Sequence, residues 1–236
     1  MKKIKPVSIL FIGNSFSYYH ALPKLIARFA RASGSGSLSV DSAFKGGATL
    51  EMLWQDGKAL EKLQSKAWDY VVLQERGRLG GIVRNGVVHV GRPRAFNTYA
   101  ARFDAAAKKV GAKTILYCPP AFIGVGRPHE AKRLQAAYAA LARKLHATMI
   151  PTGAAFMLAL KKRLQMGLYE RDRQHPSPLG AYLIASLFCR QLFHRRISDF
   201  PLESYSSKSA KIPKHPKRKR LSQADCQFLW SIANQK

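Results

Sequence analysis

The stretch Val7-Ser8-Ile9-Leu10-Phe11-Ile12-Gly13-Asn14-Ser15-Phe16-Ser17 decides how this chain folds. Its first six residues are mostly apolar and rich in branched side chains, the pattern of a buried β-strand. Gly13 ends the strand, and a turn carries Ser15 into helical periodicity over 21–32. Strand, turn and helix open a βαβ unit, and the pattern repeats along the chain.

Further strand-like runs cover 38–44, 70–73, 114–117 and 148–150. Helical periodicity fills 50–64, 95–110, 130–145, 154–166 and 179–193; in 130–145, Ala131, Leu134, Tyr138, Leu141 and Leu145 recur at steps of three and four. Such alternation predicts an α/β fold: a three-layer α/β/α sandwich around a flavodoxin-like, five-stranded parallel sheet of order 2-1-3-4-5. Ligands then bind beyond the C-terminal strand ends.

The 236 residues fit one large α/β domain over 1–200, followed over 201–236 by a basic linker and a short helix at 222–233. A hydrophobic content of 47% excludes global disorder. Met1-Lys2-Lys3-Ile4-Lys5-Pro6 has the look of a signal-peptide start, but the apolar run after it is short and lacks a small-x-small cleavage site. No run reaches 18 apolar residues, so no membrane span is expected and a cytoplasmic location is. Cys118, Cys189 and Cys226 are odd in number and far apart, which reads as buried free thiols.

Charge is the unusual property of the composition. Lys and Arg number 40 against 13 acids, a net +27. The run Ser206 to Arg220 holds seven of the basic residues and no acid, so +20 remains elsewhere. A field of this size attracts polyanions without specifying one, and equally describes a solvated basic face. Aromatic residues do not interleave the tail, which disfavours base stacking there.

Two loops interrupt the regular pattern. The first, 76–94, carries five glycines and five arginines around Asn85-Gly86, a hairpin signal flanked by valines. Following the third strand, it is placed to overhang the ligand-binding edge. The second, 119–129, follows the fourth strand and is a candidate wall of the same edge.

The chemistry gathers on loops. Ser15 lies at a helix start, where unpaired N–H groups favour negative charge. A serine needs an adjacent base to act as a nucleophile, and alone Ser15 or Ser17 reads equally as a helix cap. Asp172-Arg173-Gln174-His175-Pro176-Ser177 offers that base. An Asp three residues before a His can hold one ring nitrogen within a single loop and leave the other for a hydroxyl. Ser177 and Pro178 then start the last helix as N-cap and first residue. The order Ser, Asp, His with Asp and His this close is unlike the chymotrypsin, subtilisin or α/β-hydrolase arrangements. His20, His89, His129, His146, His194 and His215 show no ligand spacing, so no metal site is expected.

Gly13-Asn14-Ser15-Phe16-Ser17 resembles the Gly-Asp-Ser-Leu-Ser block of the SGNH (GDSL) hydrolases, with Asn14 where that block usually has Asp. Asp172-x-x-His175-Pro176-Ser177 resembles their closing block, and Gly47-Ala48-Thr49 is similar to the second. Trp68-Asp69-Tyr70-Val71-Val72-Leu73-Gln74-Glu75 and the later His175-Pro176-Ser177-Pro178-Leu179-Gly180 resemble a bacterial branch of the superfamily. The resemblance covers about 7–195.

The resemblance implies a cofactor-free serine esterase acting on a small O-acyl group, with an O-acetylated glycan or small molecule as substrate. Ser15 would be the nucleophile, His175 the base and Asp172 its partner, with the N–H groups of Ser15 and Gly47 in the oxyanion hole. One departure stands out. The superfamily's third block, Gly-x-Asn-Asp, donates a third hydrogen bond through its Asn, whereas here the strand runs Leu73-Gln74-Glu75-Arg76-Gly77. Gln74 is the candidate replacement, unless its amide pairs only with backbone. Asn14, Arg76, Arg78 and Asn85 are candidates for touching substrate. The alternatives are an acyl thioesterase or lysophospholipase, and a non-catalytic protein on the same fold that binds polyanions weakly through its basic surface and tail.

Overall fold

A computed structural model of the chain describes residues 6–85, 87–120, 128–193, 201–211 and 213–235. Its strands follow the sequence pattern: β1 (Val7–Gly13), β2 (Leu38–Phe44), β3 (Tyr70–Leu73), a small hairpin of β4 (Ile82–Arg84) and β5 (Val87–His89), then β6 (Lys113–Cys118) and β7 (Thr148–Pro151). The five long strands form one parallel sheet in the order β2-β1-β3-β6-β7, the topology expected.

Period-two alternation sends the strand residues into two cores, one per face. Ile9, Phe11, Val72 and Ile150 join the core built with α2 (Leu22–Ala32), α7 (Thr152–Lys162) and α8 (Pro178–Phe193). Leu10, Ile12, Val71 and Leu73 join the other, with α3 (Leu50–Gln55), α4 (Lys58–Gln64), α5 (Arg94–Lys109) and α6 (Pro128–Leu145). A short helix, α1 (Ser15–Tyr18), and a 3₁₀ turn at Tyr19–Ala21 precede α2.

Three departures have physical causes. The helix expected over 50–64 is two helices, because Gly57 between them has φ +80°. The helix expected to begin at 21 begins at Leu22, because His20 and Ala21 both have left-handed φ, 55° and 49°. The segment after 200 is more than a linker. It forms an antiparallel pair, β8 (Glu203–Ser206) with β9 (Lys217–Arg220), and α9 (Gln223–Ala233) follows. Leu229, Ile232 and Cys226 of α9 are buried in the same core as α2 and α8. All three cysteines are free and buried.

The expected hairpin forms, and Asn85 takes the left-handed φ (49°) that the first residue of its tight turn requires. Glu130 of α6 pins the hairpin's exit by accepting Val90 N–H at 2.7 Å. Of the second loop, residues 121–127 lie outside the described residues, as does His194. Among the described residues, no helix is long and apolar enough to cross a membrane.

Candidate active site

The site is built at the C-terminal ends of β1, β2 and β3. Gly13 ends β1 against Gln74, which follows β3, and a Cβ on Gly13 would sit 2.8 Å from Gln74 Oε1 and 3.0 Å from Ser17 Oγ. The glycine is there to admit the glutamine. Gln74 Oε1 accepts from Asn14 N–H at 3.0 Å and Ser17 Oγ at 2.9 Å, and Gln74 Nε2 donates to Glu75 O. Gln74 is fully buried.

Asn14 caps α1, its Oδ1 accepting from Phe16 N–H at 3.2 Å, while its Nδ2 donates to Ala48 O at 2.8 Å. That second bond joins the serine turn to the Gly46-Gly47-Ala48 turn. Gly47 is exposed with φ +65°, and a Cβ there would meet nothing, so backbone conformation alone selects glycine. Glu75 holds the same turn from the other side, accepting Leu50 N–H at 3.0 Å. Burial pushes the Glu75 carboxyl up, against the N–H donors of Leu50 and Arg76 that pull it down.

The histidine loop is closed at its base by Ser177 N–H to Leu168 O (2.9 Å) and Glu170 N–H to His175 O (2.8 Å). Ser177 Oγ caps α8 by accepting Leu179 and Gly180 N–H groups. Inside the loop, Asp172 Oδ1 accepts the N–H groups of Gln174 (2.9 Å) and His175 (3.0 Å), leaving Oδ2 2.6 Å from His175 Nδ1. His175 Nε2 lies 2.8 Å from Ser15 Oγ. A carboxylate can only accept, so Nδ1 carries the proton and Nε2 is free to accept from the serine hydroxyl. The sequence separates Ser15 from His175 by 160 positions; the fold closes that to one hydrogen bond.

Two aromatic rings that sequence reasoning missed flank the imidazole. Tyr19 stacks on it at 4.2 Å between centroids and 19° between planes, and Phe16 lies at 5.1 Å. His20 is a third. Its ring is 1% exposed, with Nε2 3.0 Å from Pro176 O and 3.2 Å from Glu170 Oε1. Burial lowers its pKa, opposed by the Glu170 carboxylate, so a neutral ring donating from Nε2 braces the residue next to His175. Glu170 in turn pairs with Lys208 of the C-terminal segment at 2.9 Å.

Five sequence candidates remain to be placed. Gln74 Oε1 is engaged by the serine turn, while Nε2 gives one of its two N–H groups to Glu75 O, which leaves the other as the candidate third donor. Asn14, 1% exposed, clamps two turns together and offers nothing to substrate. Arg76 and Asn85 are exposed, and Arg78 is partly so at the hairpin base; among the described residues no hydrogen bond or ion pair joins Arg76 or Asn85 to Ser15, Asp172 or His175. No group of three His, Cys, Asp or Glu among the described residues could hold a metal ion.

Solved structures share this architecture. One assigned to the SGNH hydrolases, from Slackia heliotrinireducens, superposes with TM-score 0.65 at 23% identity, over 80% of this chain and 100% of that one. The fold is that of the SGNH hydrolases. A lipase/acylhydrolase from Enterococcus faecalis matches with TM-score 0.60 at 20% identity, over 80% and 96% of the two chains. A catalytic mutant of an acetylxylan esterase from Geobacillus stearothermophilus matches with TM-score 0.59 at 17% identity, over 81% and 96%. No family model matches the sequence, and no curated protein does.

Proposed function

We propose that the protein is a serine esterase that removes a small O-acyl group, an O-acetyl on a carbohydrate being the best-supported substrate. One observation carries the reading: an uninterrupted line from Asp172 Oδ2 through His175 to Ser15 Oγ, with contacts of 2.6 and 2.8 Å. His175 takes the Ser15 proton as Ser15 Oγ attacks the ester carbonyl. The tetrahedral oxyanion rests on the N–H groups of Ser15 and Gly47. His175 then protonates the leaving alcohol, and the acyl-enzyme is released by water that His175 activates in turn. The second N–H of Gln74 Nε2 is the candidate third donor, and without it turnover would fall by roughly 10²–10³. The acetyl preference is supported by the acetylxylan esterase among the structures of the same fold.

Intact-mass spectrometry after treatment with a fluorophosphonate tests the chemistry. A single adduct is expected on the wild type and none on Ser15→Ala or His175→Ala. A folded wild type that takes no adduct would sink the esterase. An acyl-ester panel then separates acetyl esters from thioesters and lysophospholipids, which the same triad serves. A second reading, a binding protein without activity, is favoured by the net charge of +27 alone.

A further inference from the structure

A basic groove lies outside the triad. Strand β2 is an edge of the sheet, and part of the C-terminal segment faces it across two cavities. The first, about 620 Å³, is lined by Lys45, Lys58, Lys62 and Lys211 with Asp41 and Asp56. The second, about 700 Å³, is lined by Arg28, Arg31, Lys214 and Arg218 and by no carboxylate. Lys24 and Val40 line both, so the two adjoin.

Ion pairs cancel part of this charge: Lys62 with Asp41 at 3.0 Å, Lys45 with Asp56 at 3.6 Å, and Arg28 with Glu203 at 2.6 Å. Among the described residues no carboxylate pairs with Lys24, Arg31, Lys58, Lys211 or Lys214. The far wall is tied down by Lys24 Nζ donating to Lys214 O at 2.6 Å and His20 N–H to Ser207 O at 2.6 Å. The seven residues of β2 make the groove roughly 20 Å long. Its upper end is Phe44 and Lys45, immediately before the Gly46-Gly47 turn of the acyl site.

We infer that this groove binds the chain of an O-acylated acidic polysaccharide and leads its ester to Ser15. The inference rests on the esterase reading and names its substrate class. Unpaired cations strung along an edge strand suit a linear ligand with repeated negative charges. Carboxylate sugars fit better than nucleic acid. The groove's aromatic side chains are a half-buried Phe44 at one end and a buried Tyr205, which form no row of platforms for successive bases. A phosphodiester backbone also offers Ser15 no acyl ester. A flat anionic bilayer does not enter a groove walled on both sides.

The test is fluorescence anisotropy with a labelled oligogalacturonate and a uridine oligonucleotide of equal charge, plus sedimentation with phosphatidylserine vesicles. The proteins are the wild type, Ser15→Ala, Lys58→Gln/Lys211→Gln, and Lys24→Glu/Arg31→Glu. The oligogalacturonate is expected to bind tightest, equally in wild type and Ser15→Ala, and about tenfold or more weakly in the groove variants. The KM for acetylated polygalacturonate should rise about tenfold relative to that for p-nitrophenyl acetate. Unchanged oligogalacturonate affinity in both groove variants, or stronger binding of oligonucleotide or vesicles, would overturn the inference. A wild type that binds oligogalacturonate but leaves p-nitrophenyl acetate intact would remove the esterase reading and leave the groove as a binding site.

Discussion

His175 is held on four sides, by Asp172, Ser15, Tyr19 and Phe16. Because the two aromatic rings fix its plane, replacing Asp172 by Asn should leave the imidazole in place while removing its negative partner and its tautomer control. The expected loss in kcat/KM is about 10²–10⁴-fold, with KM little changed, as steady-state kinetics on Asp172→Asn would show. The pH profile follows from the same carboxyl. Burial alone would raise its pKa, but the bond from the His175 ring and the N–H groups of Gln174 and His175 outweigh burial and bring it below the ordinary value. Asp172 therefore stays ionised as pH falls, and its support of His175 is lost only as pH passes down through that lowered value. A pH profile of kcat/KM should therefore show the loss that comes from Asp172 only below the ordinary carboxylate range. The contact of Ser15, His175 and Asp172 could be anticipated because Ser15 stands at a helix start and the other two in a loop, where periodicity gives them no packing duty. Phe16 and Tyr19 were not legible, since aromatic residues beside a helix start read as core.

At the level of elements, the five strands of the sheet were readable to within a residue, most plainly β1, β3 and β6, whose apolar runs are buried. The connections were less so. Consecutive left-handed residues at His20 and Ala21 cost of order 1–3 kcal/mol each, and no local rule assigns that conformation to His or Ala. It persists because distant partners hold it: Ser207 O takes His20 N–H, and Pro176 O takes the His20 ring. The Asn14 clamp has the same character. Its amide donates to Ala48 O, so an aspartate at this place would set a carboxylate against a carbonyl oxygen. Asn14→Asp would keep the α1 cap yet break the link to the Gly47 turn. Losing a buried bond of this kind costs about 1–3 kcal/mol. Chemical denaturation should show that loss, and p-nitrophenyl acetate turnover should fall by tenfold or more. A variant as active as wild type would mean that the Gly47 turn holds its position without Asn14.

For the whole molecule, the question is whether the basic C-terminal segment is an appendage. Charge alone suggested one, because Lys217-Arg218-Lys219-Arg220 is exposed throughout and has no apolar alternation to announce a strand. Its pairing with β8 is instead accompanied by Arg28 and Arg218 meeting Glu203, contacts that composition cannot reveal. Beyond it, Trp230 Nε1 of α9 donates to Tyr182 OH of α8 at 2.8 Å, and α8 is the helix that carries the histidine loop. Leu229 is fully buried among those helices. Cutting it back to alanine should cost about 2–5 kcal/mol, by the transfer free energy of the lost methyl groups and the cavity left behind. If residues 203–235 share one core with the rest, Leu229→Ala lowers the midpoint of a single cooperative transition, read equally by far-UV circular dichroism and by loss of fluorophosphonate labelling at Ser15. If the segment were an appendage, labelling would survive to the wild-type midpoint while only part of the helical signal melted early. The chain of contacts from α9 through α8 to His175 favours the first outcome, in which a substitution on the last helix disarms a serine at the start of the first.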